Sequence, residues 1–426
     1  MNDRHRFLRE SYGVPEELSL LLEEVEYGLH DEFARIDDTA DYLQIRLLRI
    51  FQEHGATDFH LHGSTGYGYG DAGRDVLEAV FADYFGCESA LVRNQIISGT
   101  HAIALGLSGN LRPGGGLISA LGQPYDTLRK VIGAKGEAGS LVDAGVDYRE
   151  IPLTDTGKAD IAALAEAVDG RTEAVFIQRS KGYQWRPSVT TAELKAMIAA
   201  VKRRKPEVAC IVDNCYCEFA DALEPGYAGA DLVIGSLIKN PGGTLAPSGG
   251  YIAGKKHYVN ACARRLSAPG LEEGTGASLG FNRPVFQGFF QAPMTVGQSL
   301  KGAALAAGFF QRLGYEVLPN AGAAERPDIV QAIKLGDEGK LIRFCRAIQR
   351  ACPLDASFAP EPAMLPGYDC PVIMAGGGFI QGSSSELSAD GPLRPPYIAY
   401  LQGGFSLAQI RLGLLLAAKA LVSEAN

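Results

Sequence analysis

Apolar and polar positions follow one rhythm near the start of the chain and another after it. Residues 14–54 repeat apolar side chains at helical spacing, and the run stops on Gly55. A glycine-tyrosine loop, "GSTGYGYGDAGRD", comes next and leads into the predicted helix "DVLEAVFADYFG". From residue 88 short apolar strands alternate with amphipathic helices. "SALVRNQI", "GGLISAL", "TEAVFIQRS", "EVACIVD" and "DLVIGSLI" read as strands. "GTHAIALGLSG" and "TTAELKAMIAAVKRR" read as helices, the second opening on a capping box from Thr190 to Glu193. Near-continuous apolar strands separated by helices predict a mostly parallel sheet covered on both faces, an α/β fold. Beyond residue 295 the helix "GQSLKGAALAAGFFQRLG" leads into a smaller α+β region with "GKLIRFCRAIQRAC", "CPVIMAGG" and a last helix, "SLAQIRLGLLLAAKALV". The pattern divides the chain into an N-terminal helical segment (1–55), a large α/β domain (56–294) and a C-terminal α+β domain (295–426).

Composition narrows the class. The 426 residues carry a formal charge of −9, which argues against a nucleic-acid footprint. No apolar run approaches the roughly 20 residues that cross a bilayer. The first residues, "MNDRHRFLRESYG", lack the apolar core of a secretory signal, so a cytoplasmic location and reduced cysteines are expected. Cys210, Cys215 and Cys217 cluster, but no second CxxC or HxxxH pair completes a metal set. His60 and His62 in "HLH" fit a polar strand or loop segment better than a metal site, and no metal is expected.

Candidate chemistry collects where strands stop. In "GSLIKNPGGTLAPSGG", Lys239 closes an apolar strand, and the glycines behind it let the backbone fold tightly around a ligand. Most lysines are solvated surface charges; a desolvated one loses its proton more readily and forms an imine with a carbonyl. "CIVDNCY" puts Asp213 at the end of another apolar strand, where it is either a turn residue or the acid facing a protonated ring nitrogen. A strand-end lysine with a strand-end aspartate is the pair that pyridoxal phosphate requires. "ISGTHAIALGL" offers Ser98, Gly99 and Thr100 at a helix start, either as an ordinary cap or as an anion cradle. Ser236 stands three residues before Lys239, with its hydroxyl available to the same phosphate. Tyr125 in "GQPYDTL" follows another strand and is either a packed side chain or a stacking partner for the ring.

Together these segments resemble the fold-type-I pyridoxal-phosphate enzymes of cysteine and methionine metabolism. Within them the chain most resembles the methionine γ-lyase-like group also labelled aluminium-resistance proteins. "STGYGYGDAGRD", "ALVRNQIISGTHAIALG", "PYDTL", "RSKGYQWRPS", "VDNCYCEF", "GSLIKNPGGTLAPSGGYIAGK" and "GSSSELSADGPLRPPY" carry the match in order along nearly the whole chain. The resemblance implies Lys239 as the imine-forming lysine and Asp213 as partner of the pyridine nitrogen, with Cys215 beneath the ring. Ser98, Gly99, Thr100 and Ser236 would hold the phosphate, and Tyr125 would stack on the ring and serve as proton donor. Tyr67 or Tyr69 would reach the phosphate of a neighbouring subunit, which implies a homodimer at minimum and points to a homotetramer. Arg411, or Arg394 as its rival, would bind the substrate carboxylate. The chain departs from the resemblance at Gly70, Asn94 and Thr244, around the expected pocket.

The expected activity is a lyase that eliminates a γ-substituent, or a β-substituent, from a small L-amino acid. Methionine- or cystathionine-like substrates fit the resemblance. So does 4-chloroallylglycine, whose loss of halide would give propargylglycine. Two other readings share the fold: an aminotransferase, and a cofactor-binding protein without turnover.

Overall fold

The computed structural model describes residues 3–133 and 135–422. Among them the helices are α1 Asp3–Tyr12, α2 Glu16–Gly28, α3 His30–Glu53, α4 Ala72–Phe85, α5 Gly99–Asn110, α6 Asp126–Ile132, α7 Ile161–Ala167, α8 Thr191–Arg204, α9 Lys256–Leu266, α10 Asn282–Arg312, α11 Glu338–Gln349 and α12 Leu407–Val422. The strands are β1 Ser89–Arg93, β2 Gly116–Ser119, β3 Asp147–Glu150, β4 Thr172–Gln178, β5 Ala209–Asp213, β6 Leu232–Ser236, β7 Gly250–Gly254, β8 Glu316–Leu318, β9 Gln331–Lys334, β10 Val372–Gly376, β11 Ser388–Pro392 and β12 Ile398–Gln402. The chain separates into two compact units, Tyr42–Ala292 and Met1–Asp41 with Pro293–Asn426. None of the described helices is long and apolar enough to cross a membrane.

The unit Tyr42–Ala292 holds a seven-stranded sheet in the order β1-β7-β6-β5-β4-β2-β3. The pairs β2–β4, β4–β5 and β5–β6 are parallel, as their apolar runs predict, and the polar strand β3 adds to β2 in parallel as well. Strand β7 then returns antiparallel to β6 and pairs antiparallel with β1. The glycine-rich stretch after Lys239 makes that reversal, in place of a crossover helix. Strands β5 and β6 are buried along their whole length because both faces are covered. On one face α5 lies across β5, β6 and β7, and Ile103, Leu107, Phe176, Ile211 and Ile234 share a core with α9. Fully burying a side chain of this kind stabilises the fold by about 1.5–3 kcal/mol. The approach of α5 needs a glycine: a Cβ on Gly106 would stand 2.3 Å from Cδ1 of Ile234. On the other face Phe81, Phe85, Tyr251 and Phe289 stack into an aromatic layer.

The second unit carries a five-stranded antiparallel sheet, β10-β11-β12-β9-β8. Helices α11 and α12 pack on each other, and their apolar faces share a core with Leu18, Leu22 and Val25 of α2.

Several elements differ from the sequence reading. The helical run over 14–54 breaks after Gly28, where α2 ends and α3 begins with Asp31 and Glu32 in its first turn, as the helix dipole favours. Of the strand and loop readings of His60 the loop one holds: it lies in a short 3-10 turn, Asp58–Leu61, where its Nδ1 accepts a hydrogen bond of 3.0 Å from the Thr57 amide and caps that turn. Helix α10 starts well before residue 297 and runs on through Pro293. The capping box at Thr190 and Glu193 forms as predicted. Among the described residues no cluster of His, Cys, Asp and Glu is arranged to hold a metal ion.

Candidate active site

Parallel register brings the chemistry to one edge of the large sheet. Gln178 ends β4, Asp213 ends β5 and Ser236 ends β6, with Gln178 paired to Asp213 and Asp213 paired to Ile234. Helix α5 starts at the same edge. Ser98 caps it, its Oγ accepting from the His101 amide at 3.1 Å, while the first amides of any helix lack an intrahelical acceptor. Gly99 is the point where three elements meet. A Cβ there would stand 3.2 Å from Cβ of Ser236 and 3.4 Å from Sγ of Cys215, so a side chain would press on Ser236 and narrow the cradle. Thr100 shares a hydrogen bond of 3.0 Å with the hydroxyl of Tyr125, and its Oγ1 lies 3.4 Å from that of Thr127.

Asp213 is buried. Burial pushes its carboxyl up to about 6, against the Cys215 amide, which donates to Oδ1 at 3.1 Å, the Cys215 thiol, and the charges of Arg186 and Lys239. Burial, then the charges of Asp213 and Glu218, push the Cys215 thiol far up, so it stays a protonated donor rather than a nucleophile. Burial, then the charge of Asp213, push the Tyr125 hydroxyl well up too.

Lys239 follows β6 as the cap of a short 3-10 turn, Asn240–Gly242, and its amide donates to the Ser236 carbonyl at 3.3 Å. The glycines behind it have a steric reason. Gly243 has φ 51°, and a Cβ there would lie 2.1 Å from the Gly288 carbonyl. Thr244 has φ 69°, in the left-handed region where the resemblance led us to expect glycine, so this chain holds a strained residue in that loop. The Nζ of Lys239 lies 4.8 Å from the centroid of the Tyr216 ring.

Other expected residues lie on other elements. Tyr67 and Tyr69 are 75% and 66% exposed and stack on each other with centroids 5.5 Å apart. Their loop is anchored from within. The Asp71 carboxyl accepts from Ser278 Oγ at 2.5 Å and from Ser64 Oγ, and Arg74 donates to the Gly68 carbonyl at 2.8 Å. Burial opposes ionisation of Asp71, but these hydroxyls and the Arg74 amide pull its carboxyl down to about 2. Arg411 lies on α12, where its guanidinium forks onto Glu26, with Nε donating to Oε2 at 2.8 Å. It lines a cavity of 340 Å³ with Glu23, Tyr27, His30 and Phe33. Arg394 lies between β11 and β12, half-buried, and its charge acts on the buried hydroxyl of Tyr400.

Three contributors carried no role in the sequence reading. The Gln178 side chain accepts from the Tyr125 amide at 2.9 Å and donates to the Ser180 carbonyl at 3.0 Å. Arg186, 2% exposed, donates to the carbonyls of Gln178, Ser180 and Pro187 and so holds the segment after β4 against Tyr125. Tyr216 is the third. The quoted stretches "RSKGYQWRPS" and "VDNCYCEF" contain Arg186 and Tyr216, but only tertiary contacts show what those two touch.

These residues fit pyridoxal phosphate. The cradle at Gly99 suits a phosphate, with the α5 amides and the hydroxyls of Thr100 and Ser236 beside it. The buried carboxyl of Asp213, held up by desolvation, is suited to a cationic ring nitrogen that would restore its charge. Lys239 would supply the amine.

The chain is similar to known proteins over most of its length. The family model described as Methionine gamma-lyase matches residues 18–422. The Bacillus subtilis protein YnbB is 47% identical over 399 residues, 93% of this chain and 94% of that protein. The structure of a carbon-sulfur lyase involved in aluminum resistance from Clostridium novyi NT superposes with a TM-score of 0.93 at 42% identity, covering 98% of this chain and 99% of that one. A Bacillus cereus protein gives 0.91 at 47% identity over 95% and 99%. At 17% identity and a TM-score of 0.61, the pyridoxal-5'-phosphate-dependent protein YhfS from Escherichia coli shares the fold alone.

The Asp213 environment sets a pH dependence. Its folded-state value of about 6 lies above the ordinary 3.8, so the fold favours the neutral acid. The cofactor-free protein therefore loses stability as pH rises from about 4 to about 6, by on the order of 3 kcal/mol from this group. Asp213→Asn removes that loss. Thermal melts of both cofactor-free proteins across this window check it: the wild-type curve falls relative to the variant's, and parallel curves count against the assignment.

Proposed function

The chain belongs to the methionine gamma-lyase family, and within it we propose that the protein is a pyridoxal-phosphate-dependent lyase that eliminates a sulfur-bearing γ-substituent from a small L-amino acid. The observation that carries this reading is the convergence of Lys239, Asp213, Tyr125 and the Gly99 cradle at one sheet edge. When bound, the cofactor supplies an aldehyde that engages amines and a ring that accepts the electrons left when a proton departs from the α-carbon. The chain's own residues do the rest. Ser98, Gly99, Thr100 and Ser236 hold the phosphate. Asp213 keeps the ring nitrogen protonated. Lys239, once released by the substrate amine, would take the α-proton on Nζ, give that proton back to the bound molecule and, neutral again, take a β-proton. Tyr125, kept protonated by its burial, gives a proton to the departing sulfur. Gln178 and Arg186 fix Tyr125 for that task. The exposed, anchored pair Tyr67 and Tyr69 supports a second copy as partner, with one of these rings reaching that copy's phosphate site. Arg394 would take the substrate carboxylate, as the rival to Arg411, whose guanidinium forks onto Glu26.

The reading is tested by loading the protein with cofactor and supplying methionine, cystathionine, homocysteine, cysteine and 4-chloroallylglycine separately. Ammonia with 2-oxobutanoate from methionine supports γ-elimination, and pyruvate from cystathionine or cysteine marks β-elimination. An amino group kept on the cofactor without ammonia overturns the lyase reading in favour of an aminotransferase. Borohydride reduction should add the cofactor's mass to the peptide holding Lys239, and Lys239→Ala should abolish both labelling and turnover.

For the carboxylate, Arg394→Ala should raise KM by roughly 10-fold or more, as loss of a charge-assisted contact does, with Arg411→Ala much less affected. Steady-state kinetics of the two variants decide it, and the reverse order assigns the role to Arg411.

A further inference from the structure

The turn after β5 holds two non-glycine residues in the left-handed region, Tyr216 at φ 72° and Phe219 at φ 61°. Phe219 has a packing reason. Its ring stacks on Tyr84 with centroids 4.5 Å apart, and its amide donates to Glu224 at 2.9 Å. Tyr216 is half-buried, and this unusual backbone angle turns its ring face toward the Lys239 amine, 4.8 Å from the centroid. A bulky residue persists in that conformation only when something compensates, and such residues gather at functional sites. A cation within about 6 Å of an aromatic face is attracted by the ring quadrupole.

We propose that Tyr216 is a second residue of the base: its ring face is the seat of the Lys239 ammonium, and it stabilises the charge that Nζ gains on taking a proton from the substrate. This rests on the reading of Lys239 given above. Nζ enters the proton transfer neutral and leaves it as an ammonium; the proton comes from the α-carbon, and the electron pair of that C–H bond stays with the substrate. A ring that attracts only the ammonium favours the outcome of the transfer over its start, which is the differential effect that accelerates a step. Among the groups acting here are Asp213, Cys215 and Glu218, from β5 and the turn after it, and Arg186, from the segment after β4, through its effect on Asp213.

The test compares Tyr216→Phe, which keeps the ring, with Tyr216→Asn and Tyr216→Gly, which drop it and tolerate the left-handed backbone. In cofactor-free protein, acetic anhydride labelling of Lys239 is followed by mass spectrometry from neutral to alkaline pH. Without the ring the ammonium is less favoured and more free amine is present. Labelling near neutral pH should then rise about fivefold in the Asn and Gly variants and stay at the wild-type level in Phe, with melting temperatures no lower than wild type. In loaded enzyme the acidic limb of the kcat profile should move to lower pH and kcat should fall, with KM little changed. Wild-type labelling in Asn and Gly overturns the proposal, as does a Phe variant that behaves like them. If borohydride leaves Lys239 unmarked in the wild type, the underlying reading of Lys239 fails, and the labelling comparison still decides whether the ring holds the amine.

Discussion

A carboxyl group buried at the end of a strand is costly to ionise, and the site is organised around that cost at Asp213. Desolvation alone would leave the acid neutral over much of the useful pH range. The Cys215 amide and thiol, Arg186 and Lys239 bring it part of the way back. A cationic ring nitrogen would complete the balance. Water at this strand end would relieve the desolvation and weaken the acid's hold on any ring proton. The apolar burial of β5 and its neighbours is therefore part of the chemistry as well as of the core.

Close approaches place the remaining groups around that acid. Gly106 lets α5 lie against Ile234, which fixes the start of the helix beside the end of β6. Gly99 then leaves room between that start, Ser236 and Cys215. Gly243 lets the loop behind Lys239 pass the Gly288 carbonyl and turn back into β7. Each replaces a side chain with backbone at a point where two elements must nearly touch, so substitutions there would move the functional groups before they emptied the core.

Much of this was legible in the chain. Strands β4, β5 and β6 are continuous apolar runs, and their ends announced Asp213 and Ser236. The Thr190 capping box was legible because its residue types act locally. Strand β3, "DYRE", escaped notice because it is a polar, half-buried edge. Strand β7, "GYIAG", was hidden between glycines that read as turn. Gly28 separates α2 from α3 within one apolar rhythm, and periodicity alone does not register such a break. At the site, Tyr216 was silent because its contribution comes from a backbone angle that no tyrosine prefers. Arg411 looked available because its partner, Glu26, lies far away in sequence.

The most direct measurement of the central electrostatic claim is the 15N chemical shift of the ring nitrogen in protein reconstituted with isotopically labelled pyridoxal phosphate, followed from acidic to alkaline pH. A buried, charged Asp213 predicts a protonated nitrogen well into the alkaline range, and an early loss of that proton when Asp213 is replaced by asparagine. An unprotonated nitrogen at neutral pH in the wild type would contradict the account.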